Sequence, residues 1–265
     1  MYYPSKKEFV QLAAQANLIP VTRRVLADFE TPLSAYRKIR GRAESFLFES
    51  VEGGEHVGRY SFVGCDPRAV VVQYGRKETV LENRRPVQEY EIARDPDPQR
   101  PRQVRDGLVV VERLLHRYRT VTLPGLPRFT GGAVGYLGYE FIHDIEPVVP
   151  RPGQDELGTP VLCFLMADEL IVFDRVAQTM SVLVNASIGP GISPETAYEE
   201  AASEIERLLS LIEMPAQHKL AGLPDPIPTL PLQSNLSADK FKANVRRAQE
   251  YSVAGDILQV VGSQR

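Results

Sequence analysis

Apolar residues recur at helical spacing in five stretches of the chain. Phe9, Leu12, Ala13 and Ala16 fall on one face behind Ser5, and Ser5 with Glu8 has capping-box spacing, which predicts a first helix. Thr31-Pro32 opens a second, with proline in the first turn where its missing N–H costs nothing, and Leu33, Tyr36 and Ile39 sharing a face. Leu108, Val111, Leu115 and Tyr118 predict a third. The clearest begins at Ser193-Pro194-Glu195. Tyr198, Ala201, Ile205, Leu208 and Ile212 line it, and its acidic residues come early, where the helix dipole favours them. Phe241, Val245, Ala248 and Tyr251 mark a fifth, capped by Ser237 and ended by Gly255-Asp256.

Strand patterns fill the intervals. Phe46, Phe48 and Ser50 alternate with Leu47, Glu49 and Val51. Residues 69–74 and 77–81 read as two strands around a Gly75-Arg76 turn, and 129–139 as a strand punctuated by glycine. The apolar runs 161–167, 170–174 and 180–185 suit buried strands, and 257–261 starts another. Residues 95–103 hold three prolines and several charges, the mark of an exposed loop. This order of strands and helices, with connections compatible with antiparallel pairing, predicts an α+β fold of layered β-sheets with flanking helices.

Composition divides the chain. Residues 214–236 carry five prolines and almost no periodicity, so they read as a linker between a domain at 1–213 and a unit at 237–265. A capped helix plus one strand cannot bury its own apolar face, so 237–265 is expected to open a domain whose remainder is absent. Hydrophobic content of 43% with 25% charged residues is ordinary for a globular protein. The formal charge of −3 gives no reason to expect nucleic acid or an anionic membrane as partner. No signal-like start is present, and the strongest apolar stretch is too short to span a bilayer and is broken by Asp168 and Glu169. Cys65 and Cys163 form neither a disulfide framework nor a metal-ligand pairing, so a cytoplasmic location is expected.

Chemistry-bearing patterns are few. His56, His116, His143 and His218 stand far apart, without zinc-ligand spacing. The glycine cluster from Gly131 to Gly138 lacks dinucleotide-loop spacing; it reads as a bent strand that admits another backbone or ring, with a phosphate-cradling loop as the alternative. Glu49, Ser50 and Arg59 together offer a carboxylate for an ammonium, a hydroxyl, and a cation for a carboxylate, a set suited to an amino-acid zwitterion. An ordinary strand end with a surface ion pair accounts for the same residues.

Five motifs in order carry a resemblance. Leu47-Phe48-Glu49-Ser50 resembles the Leu-Leu-Glu-Ser of anthranilate synthase component I, and Gly58-Arg59-Tyr60-Ser61-Phe62 the segment that follows it there. Gly131 to Glu140 is similar to that family's Gly-Gly-x-Val-Gly-Tyr stretch, and Asp168 to Asp174 to its Asp-x-x-x-x-Phe-Asp strand, with Arg175 where histidine is common. Tyr251 to Arg265 is similar to the segment opening the chorismate-binding domain, but Ser252, Leu258 and Gly262 replace the usual Ile, Phe and Leu.

The resemblance is to the amino-terminal half. It implies a lyase of tryptophan biosynthesis that takes chorismate and ammonia to anthranilate and pyruvate with Mg²⁺, ammonia coming from a glutamine amidotransferase subunit. It also implies an L-tryptophan feedback site, with Ser50 as first contact, Glu49 next and Arg59 third. The family's substrate, metal and catalytic positions are expected beyond Arg265. No catalytic or metal residue is therefore assigned, the chain alone is expected to be inactive, and no Mg²⁺ is expected to bind it alone. Aminodeoxychorismate synthase component I, or a non-catalytic tryptophan-binding or subunit-interaction module, are the alternatives.

Overall fold

The computed structural model describes all residues except 42–43, 50–57, 147, 152–154, 156, 216–221, 223–230, 263 and 265. The chain divides into two units, 1–217 and 218–265.

The first unit begins with β1 (Tyr2–Tyr3), α1 (Lys6–Leu12), β2 (Leu18–Leu26) and α2 (Pro32–Ile39). Both helices start as their sequences direct. Ser5 and Glu8 form a reciprocal capping box, and Thr31 and Ser34 form another with Pro32 in the first turn. The core-facing side of α2 is Ala35 and Ile39, with Tyr36 partly buried against the same core as expected, while Leu33 is exposed, contrary to the expected face.

Strands β3 (Phe46–Glu49), β4 (Tyr60–Gly64), β5 (Ala69–Tyr74), β6 (Lys77–Glu82), β7 (Arg85–Ile92) and β8 (Gln103–Val104) follow. Next come α3 (Leu108–Leu115), β9 (Gly132–Leu137) and the short α4 (Ile142–Ile145). The unit ends with β10 (Leu162–Ala167), β11 (Glu169–Asp174), β12 (Thr179–Ser187) and α5 (Pro194–Glu213). Val110, Val111 and Leu114 form the buried face of α3, whereas Leu108 and Leu115 lie toward solvent and Tyr118 follows the helix end.

Two six-stranded sheets result, in the orders β1-β2-β12-β11-β4-β3 and β8-β7-β6-β5-β10-β9. All their ladders are antiparallel except the parallel β7–β8 pair. The chain passes between sheets twice, from β4 to β5 and from β10 to β11.

Side-chain alternation then builds three cores. On β11, Ile171 and Phe173 point into the core that holds Phe9 of α1, Ile39 of α2 and Ile205 and Leu208 of α5. Leu170 and Val172, on the opposite face, meet Val134, Leu183, Phe62 and Phe129 in a core shared by the two sheets. A third core joins Val110, Val111 and Leu114 of α3 to Val71, Val80 and Leu162 of the second sheet. The architecture is therefore the layered α+β arrangement that the sequence predicts. The five apolar residues expected on α5 are all buried. Burial of its Ile and Leu side chains stabilises the layer by about 1.5–3 kcal/mol each. Lys38 donates to the carbonyl of Ile212 at 2.6 Å, satisfying a terminal acceptor of α5.

The glycine-rich strand has a steric need for two of its glycines. A Cβ at Gly135 would overlap the carbonyl oxygen of Cys163 and stand 2.8 Å from Phe164 Cα. Gly131, at φ +147°, leaves room for the Asn185 amide, which donates to the Thr130 carbonyl at 2.6 Å. Close backbone approach, and not a phosphate cradle, accounts for these glycines.

In the second unit, α6 (Ala238–Ala254) is capped by Ser237, which accepts from Lys240 N–H at 3.3 Å, and stops at Gly255 in the left-handed conformation. Phe241, Val245 and Tyr251 all remain partly exposed. Residues 257–261 form no ladder among the described residues; the strand expected there lacks a neighbour to supply its hydrogen bonds. Most of the proline-rich stretch 214–236 lies outside the described residues.

Candidate functional site

Glu49 and Arg59 belong to the β3–β4 edge of the first sheet. Glu49 ends β3, the edge strand, opposite Ser61 of β4, and Ser61 in turn faces Phe173 of β11. Arg59 immediately precedes β4. Ser50 lies outside the described residues.

The register places two cation–carboxylate pairs side by side. Arg59 grips Asp174 through both carboxylate oxygens, Nε at 2.9 Å and Nη2 at 2.6 Å. Asp174 Oδ1 also accepts from the backbone N–H groups of Val176 and Ala177 at 3.1 Å each, so it fixes the β11–β12 turn. The Arg59 hydrogen bonds, helped by these N–H groups, hold the Asp174 carboxyl below its ordinary range, against a smaller opposing effect of burial. Arg59 also lies 5.0 Å from the centre of the Tyr60 ring.

The cation near Glu49 is Arg175. Its Nη2 lies 3.6 Å from Glu49 Oε1 and donates to Ser61 Oγ at 3.5 Å. Arg175 N–H donates to the Arg59 carbonyl at 3.0 Å, which ties the two arginines to adjoining backbone. The edge thus carries two neighbouring pairs, Arg59 with Asp174 and Arg175 with Glu49, and Arg175 also reaches the buried Ser61 hydroxyl. Sequence spacing brings out Glu49 and Arg59, but Asp174 as the partner of Arg59 follows only from strand register.

Because Asp174 has its pKa lowered by folding, its ionised form contributes stability that is present above its unfolded value and lost as pH falls through the lower folded value. Asp174→Asn is expected to cost about 1 kcal/mol at pH 7 and to flatten the acid limb of the stability curve. Urea titrations from pH 2 to 7 check this, and an unchanged acid limb would refute it.

Burial governs four other ionisable groups, Cys65, Cys163, Asp168 and Glu169. Burial pushes the Cys65 thiol up to about 12 and also raises Cys163, so neither is an activated nucleophile. Asp168, pushed up to about 6 by burial, lies 2.8 Å from Arg68 Nε, and Arg68 donates to Tyr118 Oη at 2.9 Å. Burial also raises Glu169, with Glu204 beside it and Arg207 opposing the shift. Among the described residues no three His, Cys, Asp or Glu side chains converge as a metal-binding group. No helix among them is long and apolar enough to cross a membrane.

Comparison with known proteins agrees with the resemblance. A family model described as chorismate binding enzyme matches residues 43–265. Anthranilate synthase component 1 of Acetivibrio thermocellus is 35% identical, over 100% of this chain and 51% of that protein. The Pseudomonas putida protein of the same name is 36% identical over 98% of this chain and 50% of its own length. The chain therefore spans about half the length of the curated relatives it matches. A crystal structure of anthranilate synthase component I from Streptococcus pneumoniae shares the fold, with a TM-score of 0.54 over 88% of this chain and 46% of that chain at 22% identity. The chain belongs to the family of chorismate-binding enzymes, of the anthranilate synthase component I type.

Proposed function

We propose that this chain forms the effector-sensing part of an anthranilate synthase component I. In this reading it serves an enzyme that converts chorismate and ammonia to anthranilate and pyruvate, with ammonia delivered by a glutamine amidotransferase partner. The observation that carries the reading is the alignment of 98–100% of the chain with proteins of that name. This reading assigns the metal and the turnover chemistry to the part of the longer relatives that this chain does not match, about half of their length.

The effector is L-tryptophan, and its site is the β3 edge. Glu49 accepts the ligand ammonium, and Ser50, next in sequence, supplies a hydroxyl. A guanidinium has five N–H groups, and Asp174 uses two of those on Arg59, which leaves three for a ligand carboxylate. Arg175 supplies a second cation within reach of Glu49.

Isothermal titration of L-tryptophan into the chain is expected to show weak, saturable binding. Ser50→Ala or Glu49→Gln should weaken it by about tenfold, the effect of one charge-assisted hydrogen bond. Absence of binding to a folded chain would remove the sensing role from this chain by itself. With chorismate, Mg²⁺ and ammonium the chain is expected to yield no anthranilate fluorescence, and its appearance would overturn the assignment of turnover to the longer sequence.

A further inference from the structure

Four arginines line one cavity outside the β3 edge. Ile92 N–H donates to the Arg76 carbonyl at 2.8 Å, and Ala93 N–H to the Val104 carbonyl at 2.9 Å. These bonds draw together the β5–β6 turn, the end of β7 and the end of β8, and with them Arg76, Arg94 and Arg105. Arg151, His143 and the apolar Ile92, Val149 and Pro150 also line this cavity of about 340 Å³, in which Asp144 is the acidic residue among the described ones.

Two of these arginines are held by buried carboxylates. Asp144, whose side chain has no exposed surface, ion-pairs with Arg151 and accepts from Gln73 Nε2 at 2.7 Å. Asp106, also buried, lies 3.1 Å from Arg105 Nε. Arg76 and Arg94 have no ion-pair partner among the described residues. Four arginines against Asp144 and Asp106 leave a positive excess of about two charges at the cavity below about pH 8, where the neighbouring buried Glu78 stays protonated.

We propose that this cavity binds a small dianion with oxyanion groups, of the phosphate or dicarboxylate type. Guanidinium forks match both groups bidentately, and planar donors already fixed by Asp106 and Asp144 lose little freedom on binding. The volume lies at the lower end for ligand pockets, which suits a compact ion and not an extended polyanion. Arg76 and Arg94 supply the uncompensated charge; Arg105 and Arg151 orient the ligand.

The test titrates inorganic phosphate and malonate separately into the full 265-residue chain, at low and constant ionic strength held with chloride. Saturable binding of at least one anion at a single site is expected, and the tighter of the two assigns the ligand class. The double variant Arg76→Gln/Arg94→Gln should bind that anion about tenfold more weakly or worse. A charge-matched control, Lys242→Gln/Arg246→Gln on α6, should bind as the parent does. Circular dichroism melts verify that both variants are folded. No saturable binding of either anion by the parent, or equal weakening in the control, would overturn the proposal.

Discussion

Gly135→Ala is expected to destabilise the protein by about 3 kcal/mol or more, a large share of the stability of an ordinary domain. The added methyl would occupy the position of the Cys163 carbonyl oxygen and lie 2.8 Å from the Cys163 carbonyl carbon and from Phe164 Cα. These obstacles are backbone, and the backbone is fixed by the ladder that pairs Gly135 with Phe164 and Tyr136 with Cys163. A flexible side chain could rotate away; here the edge strand β9 must move, and Val134 must leave the core between the sheets. Gly189→Ala is the natural control, because its Cβ would meet only the Ile192 Cδ1 atom, at 3.9 Å. Urea denaturation of both variants decides the matter. A Gly135→Ala midpoint equal to that of the control would show that β9 yields without cost.

Glu78→Gln is expected to stabilise the protein by on the order of 3 kcal/mol at pH 8.5 and by less than about 1 kcal/mol at pH 5. Glu78 is fully buried, and neither carboxyl oxygen has a hydrogen-bond partner among the described residues. Burial first, then Asp106 and Asp144, pushes its pKa up to about 8. The folded value lies above the ordinary carboxyl value of 4.5, so the fold favours the protonated form. The ionisation of Glu78 therefore costs nothing below about pH 4.5, and stability is lost progressively as pH rises from there through about 8. Glutamine keeps the shape, never ionises, and can donate toward Gln73 Oε1, an acceptor without a partner among the described residues that faces Gly107 alongside Glu78. Glu169, raised in the same direction, adds to the loss of stability at alkaline pH in the parent and in the variant alike. Paired urea titrations at the two pH values are the check. A gain of the same size at both would mean that packing, and not ionisation, separates the two side chains.

Much of the fold was legible because it is written locally. Ser5, Thr31, Ser193 and Ser237 each cap the helix their spacing announces, and the five apolar positions of α5 all reach the core. The runs that became β10, β11 and β12 are apolar enough to be buried on both faces. By contrast, β7 begins with Arg85 and Pro86 and carries few buried residues, so it gave no strand signal; it is a strand because β6 supplies its hydrogen bonds. Leu33 and Leu108 fit helical spacing yet face solvent, since the direction of the neighbouring sheet chooses among nearly equivalent helix faces.

The candidate site divides along the same line. Sequence by itself determined the caps, the buried strands, the Glu49 and Arg59 motifs and the family they resemble, because these depend on residues a few positions apart. Only the tertiary structure decided that Arg59 is held by Asp174, 115 residues away, that Arg175 is the cation near Glu49, and that Glu78 is buried without a partner. Ion pairing and desolvation act over a few ångströms of space, and the register of strands distant in sequence sets which groups share it.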